Sequence, residues 1–283
     1  MERQVLTLKR YKIILLCLLL FGCTSFPKPR ETWEWWGLLP ESPLLVYGKM
    51  QPIRADLLQL MQQENDLKEV VQRSTDFYAA ITPASADQPL KYAFLLLGDF
   101  PKGLIGLSLG WNRNWRYSSG NPEQWIHTKQ SLAVLLPEDG VVVAQNLPWE
   151  PRTVKTQVSN FLRDFFDRTQ QKDLVLVFEQ PFRFILENIG DRLPVGFISF
   201  LANYQNQGFF GTVELHFQEE RQSRLLAPIL RLTQRLWLEE IQNLGLQVNP
   251  QELTISVSGN VILVGPLIIP LSMVESLLKA QGD

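Results

Sequence analysis

Gly106-Leu107-Ser108-Leu109-Gly110 spells G-x-S-x-G, the phrase that in esterases and lipases lifts a nucleophilic serine off a sheet at a sharp strand-to-helix turn. A serine so placed needs an imidazole and a carboxylate. The chain has two histidines, His127 and His216, and Asp191 is a candidate acid. Ser108, however, falls inside Leu104 to Trp111, which alternates like a strand and runs on into Trp111-Asn112-Arg113-Asn114-Trp115 without helical spacing. The helix that must follow an elbow is missing, and Gly106 and Gly110 then serve a bulge or a close backbone approach. Two histidines and no cysteine beyond residue 23 leave few ligands for a transition metal. His127, beside Trp125, suits a strand edge. No Walker A, dinucleotide-binding or EF-hand phrase occurs. Glu138-Asp139 and Glu219-Glu220 sit in turns as solvated ends. No catalytic residue, metal or cofactor is assigned.

A second group of residues points to recognition instead. Trp111, Arg113, Trp115, Tyr117 and Trp125 interleave aromatic rings with Asn and Arg, the residue types that dominate binding hot spots. They are the candidate partner-binding surface. The alternative is that these rings fold back to cap a sheet.

The first two dozen residues carry the address. Arg3, Lys9, Arg10 and Lys12 precede the apolar run Ile13 to Phe21, whose length fits the core of a signal peptide and falls short of the roughly 20 residues that span a bilayer. The run ends in Leu20-Phe21-Gly22-Cys23, which resembles a relaxed lipobox of bacterial lipoproteins: Leu20 and Gly22 match, and Phe21 is bulkier than usual. The resemblance implies cleavage after Gly22 and diacylglycerol on the Cys23 sulfur, usually with an acylated amino group such as a palmitoyl amide. Two or three acyl chains hold a protein on a membrane where one is marginal. Residues 1–22 are then a lipoprotein signal peptide and 23–37 a lipid-anchored tether, with Pro27 and Pro29 stiffening it and Trp33, Trp35 and Trp36 close to the anchor.

Composition agrees with a folded, exported body. Of 27 basic and 29 acidic side chains, four basic ones and Glu2 precede Cys23, leaving a formal charge of −5 after it. A mildly acidic surface argues against nucleic acid. With 45% hydrophobic and 20% charged residues the chain can bury a sizeable core, which it needs, because Cys17 and Cys23 are its only cysteines and no disulfide can form downstream.

The pattern of elements predicts an α+β fold. Leu44 to Tyr47 reads as a strand, followed by a helix that Pro52 opens and that runs to about Tyr78. Tyr92 to Leu97 and Leu104 to Trp111 read as a hairpin. Trp125 to Thr128 is a short strand, and Leu132 to Leu136 pairs with Val141 to Gln145 about Asp139-Gly140. A helix follows from Pro151 to Arg168. The second half repeats this grammar: strand Leu174 to Phe178, a helix from Pro181, strands Leu193 to Asn203 and Gly208 to Phe217, and a long helix Gln222 to Asn243. The apolar stripe of that helix, Leu225, Leu226, Ile229, Leu232, Leu236 and Ile241, is expected in the core. A hairpin about Ser258-Gly259-Asn260 and a helix from Pro270 end the chain. Gln51-Pro52-Ile53-Arg54 and Gln180-Pro181-Phe182-Arg183 recur 129 residues apart. Two related repeats, 38–170 and 171–283, of antiparallel sheet with helices packed on one face are expected, the second with the βαββαβ order of a ferredoxin-like unit. Leu39-Pro40-Glu41-Ser42-Pro43 resembles the start of uncharacterised bacterial envelope proteins and implies no activity.

The sequence thus describes an exported lipoprotein on the periplasmic side or the cell surface, serving as a non-catalytic binding or assembly module for an envelope partner. One alternative is a carrier of an apolar ligand held between sheet and helices. The other is a serine hydrolase using Ser108.

Overall fold

The computed structural model describes residues 39–40, 42–60, 65–83, 89–119, 123–129, 131–146, 165, 167–180, 194–243 and 245–273. Cys23, the tether with its three tryptophans, Asp191, and nearly all of the segments expected as helices from Pro151 and Pro181 lie outside them. The elements in chain order are β1 (Leu44–Lys49), α1 (Met50–Leu60), α2 (Asn65–Arg73), β2 (Ser74–Thr82), β3 (Lys91–Gly98), α3 (Lys102–Trp111), β4 (Trp115–Ser118), β5 (Gln124–His127), β6 (Ala133–Leu135), β7 (Val141–Gln145), β8 (Leu174–Glu179), β9 (Val195–Gln205), β10 (Gly208–Phe217), α4 (Glu220–Leu232), α5 (Gln234–Asn243), β11 (Thr254–Ser258) and β12 (Val261–Pro270).

All twelve strands join one antiparallel sheet, ordered β11-β12-β10-β9-β8-β1-β2-β3-β7-β6-β5-β4. At its middle β1 pairs with β8, Leu45 opposite Val177 and Tyr47 opposite Val175. The sheet therefore runs unbroken across the boundary between the two halves. On either side of this pair the order is similar: β1, β2, β3 then β7 in one direction, and β8, β9, β10 then β12 in the other. The ferredoxin-like arrangement is not formed, because β8 pairs directly and antiparallel with β9 where a split βαβ unit needs a strand inserted between parallel neighbours.

Strand alternation gives the sheet two buried faces. Leu45, Tyr47, Tyr78, Leu95, Val143, Val175 and Val177 share one with Leu39 and Phe165. The other holds Phe200, Phe209, Ile262 and Val264 with Ile53 and Leu57 of α1, Val71 of α2, Ala227 of α4 and Leu238 of α5. Those helices share a face as expected, whereas Phe165, in a helical turn at the end of the Pro151 segment, packs on the opposite one.

Three expectations are corrected. The first helix does not reach Tyr78: α2 ends at Arg73 and β2 begins at Ser74. Ser74 Oγ donates to Val70 O at 2.7 Å and Arg73 O accepts from Asp99 N at 2.8 Å, and Gly98 lets the chains approach, since a Cβ there would lie 2.0 Å from Arg73 O. Leu104 to Trp111 is a helix, not the second strand of a hairpin, and β3 pairs instead with β2 and β7. The helix from Gln222 is divided at Thr233 into α4 and α5, and most of its leucine stripe faces solvent. The expected pairings β6–β7, β9–β10 and β11–β12 are present, with Gly140 and Gly259 at positive φ in their turns.

Candidate binding surface

Helix α3 begins after Pro101, where the 137–140 loop holds it. Lys102 N donates to Asp139 Oδ1 at 2.7 Å, and Lys102 Nζ to Pro137 O at 3.2 Å. The Asp139 carboxylate thus supplies the acceptor that a first-turn amide lacks. From Gly103 to Asn112 no side chain carries charge. A ten-residue helix this apolar is ordinarily buried on all sides. Here none of its residues is buried; Leu104 and Leu107 are exposed and Trp111 is 81% exposed.

The helix rests on the aromatic residues that the sequence singles out. Strands β4 and β5 place Trp115 opposite His127 and Tyr117 opposite Trp125. Trp115 and His127 meet edge to face with centroids 5.0 Å apart, and Tyr117 and Trp125 lie 5.1 Å apart. This two-rung ladder covers the end of the sheet. Gly110 lies against it, since a Cβ there would come within 3.3 Å of the Trp125 ring. Arg113 is exposed in the turn between α3 and β4. The five predicted residues therefore divide: Trp115, Tyr117 and Trp125 build the platform, and Trp111 and Arg113 project beyond it. His127 is the last residue of β5, which lies between β4 and β6 and so is not an edge strand, and its Nδ1 accepts from Lys129 N at 3.4 Å.

Ser108 is on the exposed helix, far from the strand-to-helix turn that an elbow requires. His216 is instead committed to a buried cluster on β9 and β10, where Glu214 Oε2 receives three donors. They are His216 Nε2 at 2.8 Å, Ser199 Oγ at 3.2 Å and Arg168 Nη1. The imidazole stacks on Phe197 at 3.9 Å. Serine, histidine and carboxylate in contact suggest a triad, yet the acid and the serine meet the same ring nitrogen. A triad needs them on opposite nitrogens. Ser199 Oγ lies 3.2 Å from Glu214 Oε2 and 3.4 Å from His216 Nε2, so the three groups share one contact point and the carboxylate does not orient the ring from its far side. Burial by itself would raise the Glu214 carboxyl; the bonds and charges of His216 and Arg168 outweigh it and hold the pKa at about 2.

A second exposed apolar surface was not anticipated. Leu225, Ile229, Leu232 and Leu236 point outward from α4 and α5, while Ser223, Ala227 and Leu238 face the sheet. Spacing revealed the stripe, but the side facing the core was misassigned because Ala227 and Ser223 carry no hydrophobic signal. Among the described residues no three His, Cys, Asp or Glu side chains gather as a metal site, and no helix is long and apolar enough to cross a membrane.

No protein-family model and no curated protein matches the chain. Three crystal forms of TP0453, a bacterial protein, are similar in fold. Form I gives a TM-score of 0.56 at 13% identity and covers 86% of this chain and 96% of TP0453. Form IV gives 0.56 at 14%, covering 86% and 95%, and form III 0.54 at 12%, covering 86% and 97%. The chain thus resembles TP0453 in fold over 86% of its length.

Proposed function

We propose that this chain is an exported bacterial envelope lipoprotein, anchored through lipid on Cys23, that acts as a non-catalytic binding module and meets the apolar layer of a membrane through α3 and its aromatic platform. The observation that carries this reading is a helix uncharged from Gly103 to Asn112 with no buried residue. Full burial of a Leu or Trp side chain contributes roughly 1.5–3 kcal/mol, so leaving Leu104, Leu107 and Trp111 in water forgoes several kcal/mol that a lipid surface would return. Lys102 and Arg113 stand at the two ends of α3 and are exposed, where basic groups meet headgroups, and Trp111 suits the interface. TP0453 supports the fold of this reading and nothing more specific.

The test uses the chain from residue 24 onward, without the signal segment or acyl chains, so that the difference in vesicle binding between it and a variant of α3 reports that helix. Flotation with neutral and anionic phospholipid vesicles is expected to recover the protein. Leu104→Asp with Leu107→Asp is expected to lower recovery at least tenfold at unchanged helix content. Equal flotation of the two would remove α3 from the reading. For the anchor, Cys23→Ala should abolish fatty-acid labelling and release the chain from membranes; persistent labelling would refute it.

An internal duplication accompanies this reading. It is supported by the matching order of strands on the two sides of the β1–β8 pair and by the recurrent Gln-Pro-x-Arg phrase.

A further inference from the structure

Helices α4 and α5 carry a surface of a different character from α3. From Arg221 to Leu238 the chain has four arginines and no acidic residue, within a body whose formal charge after Cys23 is −5. Every exposed residue of that interval is either apolar or an arginine. The apolar ones are Leu225, Pro228, Ile229, Leu232 and Leu236, with Leu232 86% and Leu236 70% exposed. The arginines are Arg221, Arg224, Arg231 and Arg235. The acids of this region stand outside both ends, Glu219 and Glu220 before it and Glu239 and Glu240 after it. Glu220 pairs with Arg224, and Arg231 donates to Ile255 O through Nη2 at 2.8 Å. Arg221 and Arg235 make no ion pair among the described residues. Of the strands under α4, β11 and β12 carry no charge. Glu214 and His216 of β10 are held in the buried cluster with Ser199 and Arg168.

Shape and charge together select what covers this surface. Pro228 stands inside α4, and α4 stops at Thr233, whose φ of −91° and ψ of 7° leave the helical region before α5 begins. The junction is held by Thr233 Oγ1 donating to Ile229 O at 2.9 Å and Trp237 Nε1 donating to Leu230 O at 3.0 Å. Such a broken pair offers no regular seam for a partner helix to follow. A lipid surface requires no register, and takes up apolar side chains wherever they project while neighbouring basic groups meet the headgroups. Four arginines with no acid among them repel a second copy of the same surface and attract a layer of phosphates, which guanidinium groups bind through paired N–H donors.

We propose that α4 and α5 form a second membrane-binding surface, selective for anionic phospholipid, in which the exposed leucines and Ile229 enter the apolar layer and the arginines take phosphate oxygens. It goes beyond the contact made by α3, whose residues from Gly103 to Asn112 are uncharged, and needs neither that helix nor the anchor on Cys23.

Flotation of the chain from residue 24 onward with vesicles of phosphatidylcholine, with and without phosphatidylglycerol, gives the ratio of anionic to neutral binding. The ratio is expected to be at least tenfold at low salt and to fall as salt screens the arginines. Arg221→Gln with Arg235→Gln should lower it at least fivefold at unchanged helix content, and Arg221→Lys with Arg235→Lys should keep it within twofold. Equal binding to the two vesicles, or a ratio indifferent to the glutamine pair, overturns the surface. Placement is read with a dye. The chain from residue 24 has no cysteine, so Ile229→Cys carries a single environment-sensitive label, placed in a chain that also has Leu104→Asp and Leu107→Asp. On excess anionic vesicles the label should shift to the blue, and an unshifted label sinks the surface. A shift in that chain keeps α4 and α5 whatever becomes of α3, and vesicle binding that needs α3 while the label stays unshifted keeps α3 alone.

Discussion

Glu214 shows how much of a side chain's behaviour is decided across a strand. Its carboxylate sits opposite Ser199 in the β9–β10 register, two residues from His216, with Arg168 arriving from the other end of the chain's middle segment. Because the folded pKa is held at about 2, below the ordinary value near 4.5, the charge contributes stability that is complete above pH 4.5. That contribution is lost as the pH falls from there through 2. Glu214→Gln keeps the size of the side chain but leaves Arg168 and His216 facing a weaker acceptor, and should cost about 2–4 kcal/mol at neutral pH. Denaturant titrations from pH 7 to pH 2 check both: the difference between the two proteins should narrow on acidification, and a constant gap would mean that the carboxylate charge does no stabilising. The β9–β10 hairpin was legible in the sequence, and with Gln205 opposite Gly208 the register counts out to Ser199 opposite Glu214. Arg168 was not legible, since no periodicity links it to that pair.

Helix α3 is the element on which sequence and structure part. Gly-Leu-Ile-Gly-Leu-Ser-Leu-Gly alternates enough to suggest a strand, and strand reading places its leucines in a core. The deciding forces lie elsewhere in the chain. Asp139 caps the first turn from another loop, and β7 already occupies the edge of β3 that a hairpin partner would take. A helix this rich in glycine is weak by itself, which gives a direct test. A Cβ on Gly103 or Gly106 would meet no atom within 4 Å, so Gly106→Ala should stabilise the protein by about 0.5–1 kcal/mol. Gly110→Ala should gain less, because the Trp125 ring must yield. Thermal melting of the two variants checks the placement: a gain at Gly106 well above that at Gly110 is expected, and equal gains would show that the Trp125 ring does not meet α3. The aromatic residues beside α3 were legible as a group, but their pairing on two short strands was not, because Trp111 to Tyr117 reads as an extension of the segment before it. The exposure of Leu104 and Leu107 was not legible either, since hydrophobicity reports what a residue prefers and not what covers it.

At the scale of the molecule the two halves named from the sequence are halves of one sheet. Val175 and Val177 of β8 are buried among Leu45, Tyr47, Tyr78 and Leu95 of the first half, while Ile53, Leu57 and Val71 of the first half pack in the cluster of Phe200, Phe209 and Ile262. Neither half can close its core without the other, because each buried face draws side chains from both sides of the β1–β8 pair. Strand patterns and turn residues revealed most of the elements, but the joining of β1 to β8 spans 130 residues and leaves no local trace. Unfolding should therefore be a single cooperative event. Val175→Ala, which removes two methyl groups at a fully buried central position, should cost about 2–3 kcal/mol. It should lower amide protection equally in β6–β7 at one end and in β10–β12 at the other. Hydrogen exchange measured strand by strand decides the matter. If only the strands on one side of β8 lost protection, the halves would be separate folding units that share an edge, and the single-sheet account of stability would fail.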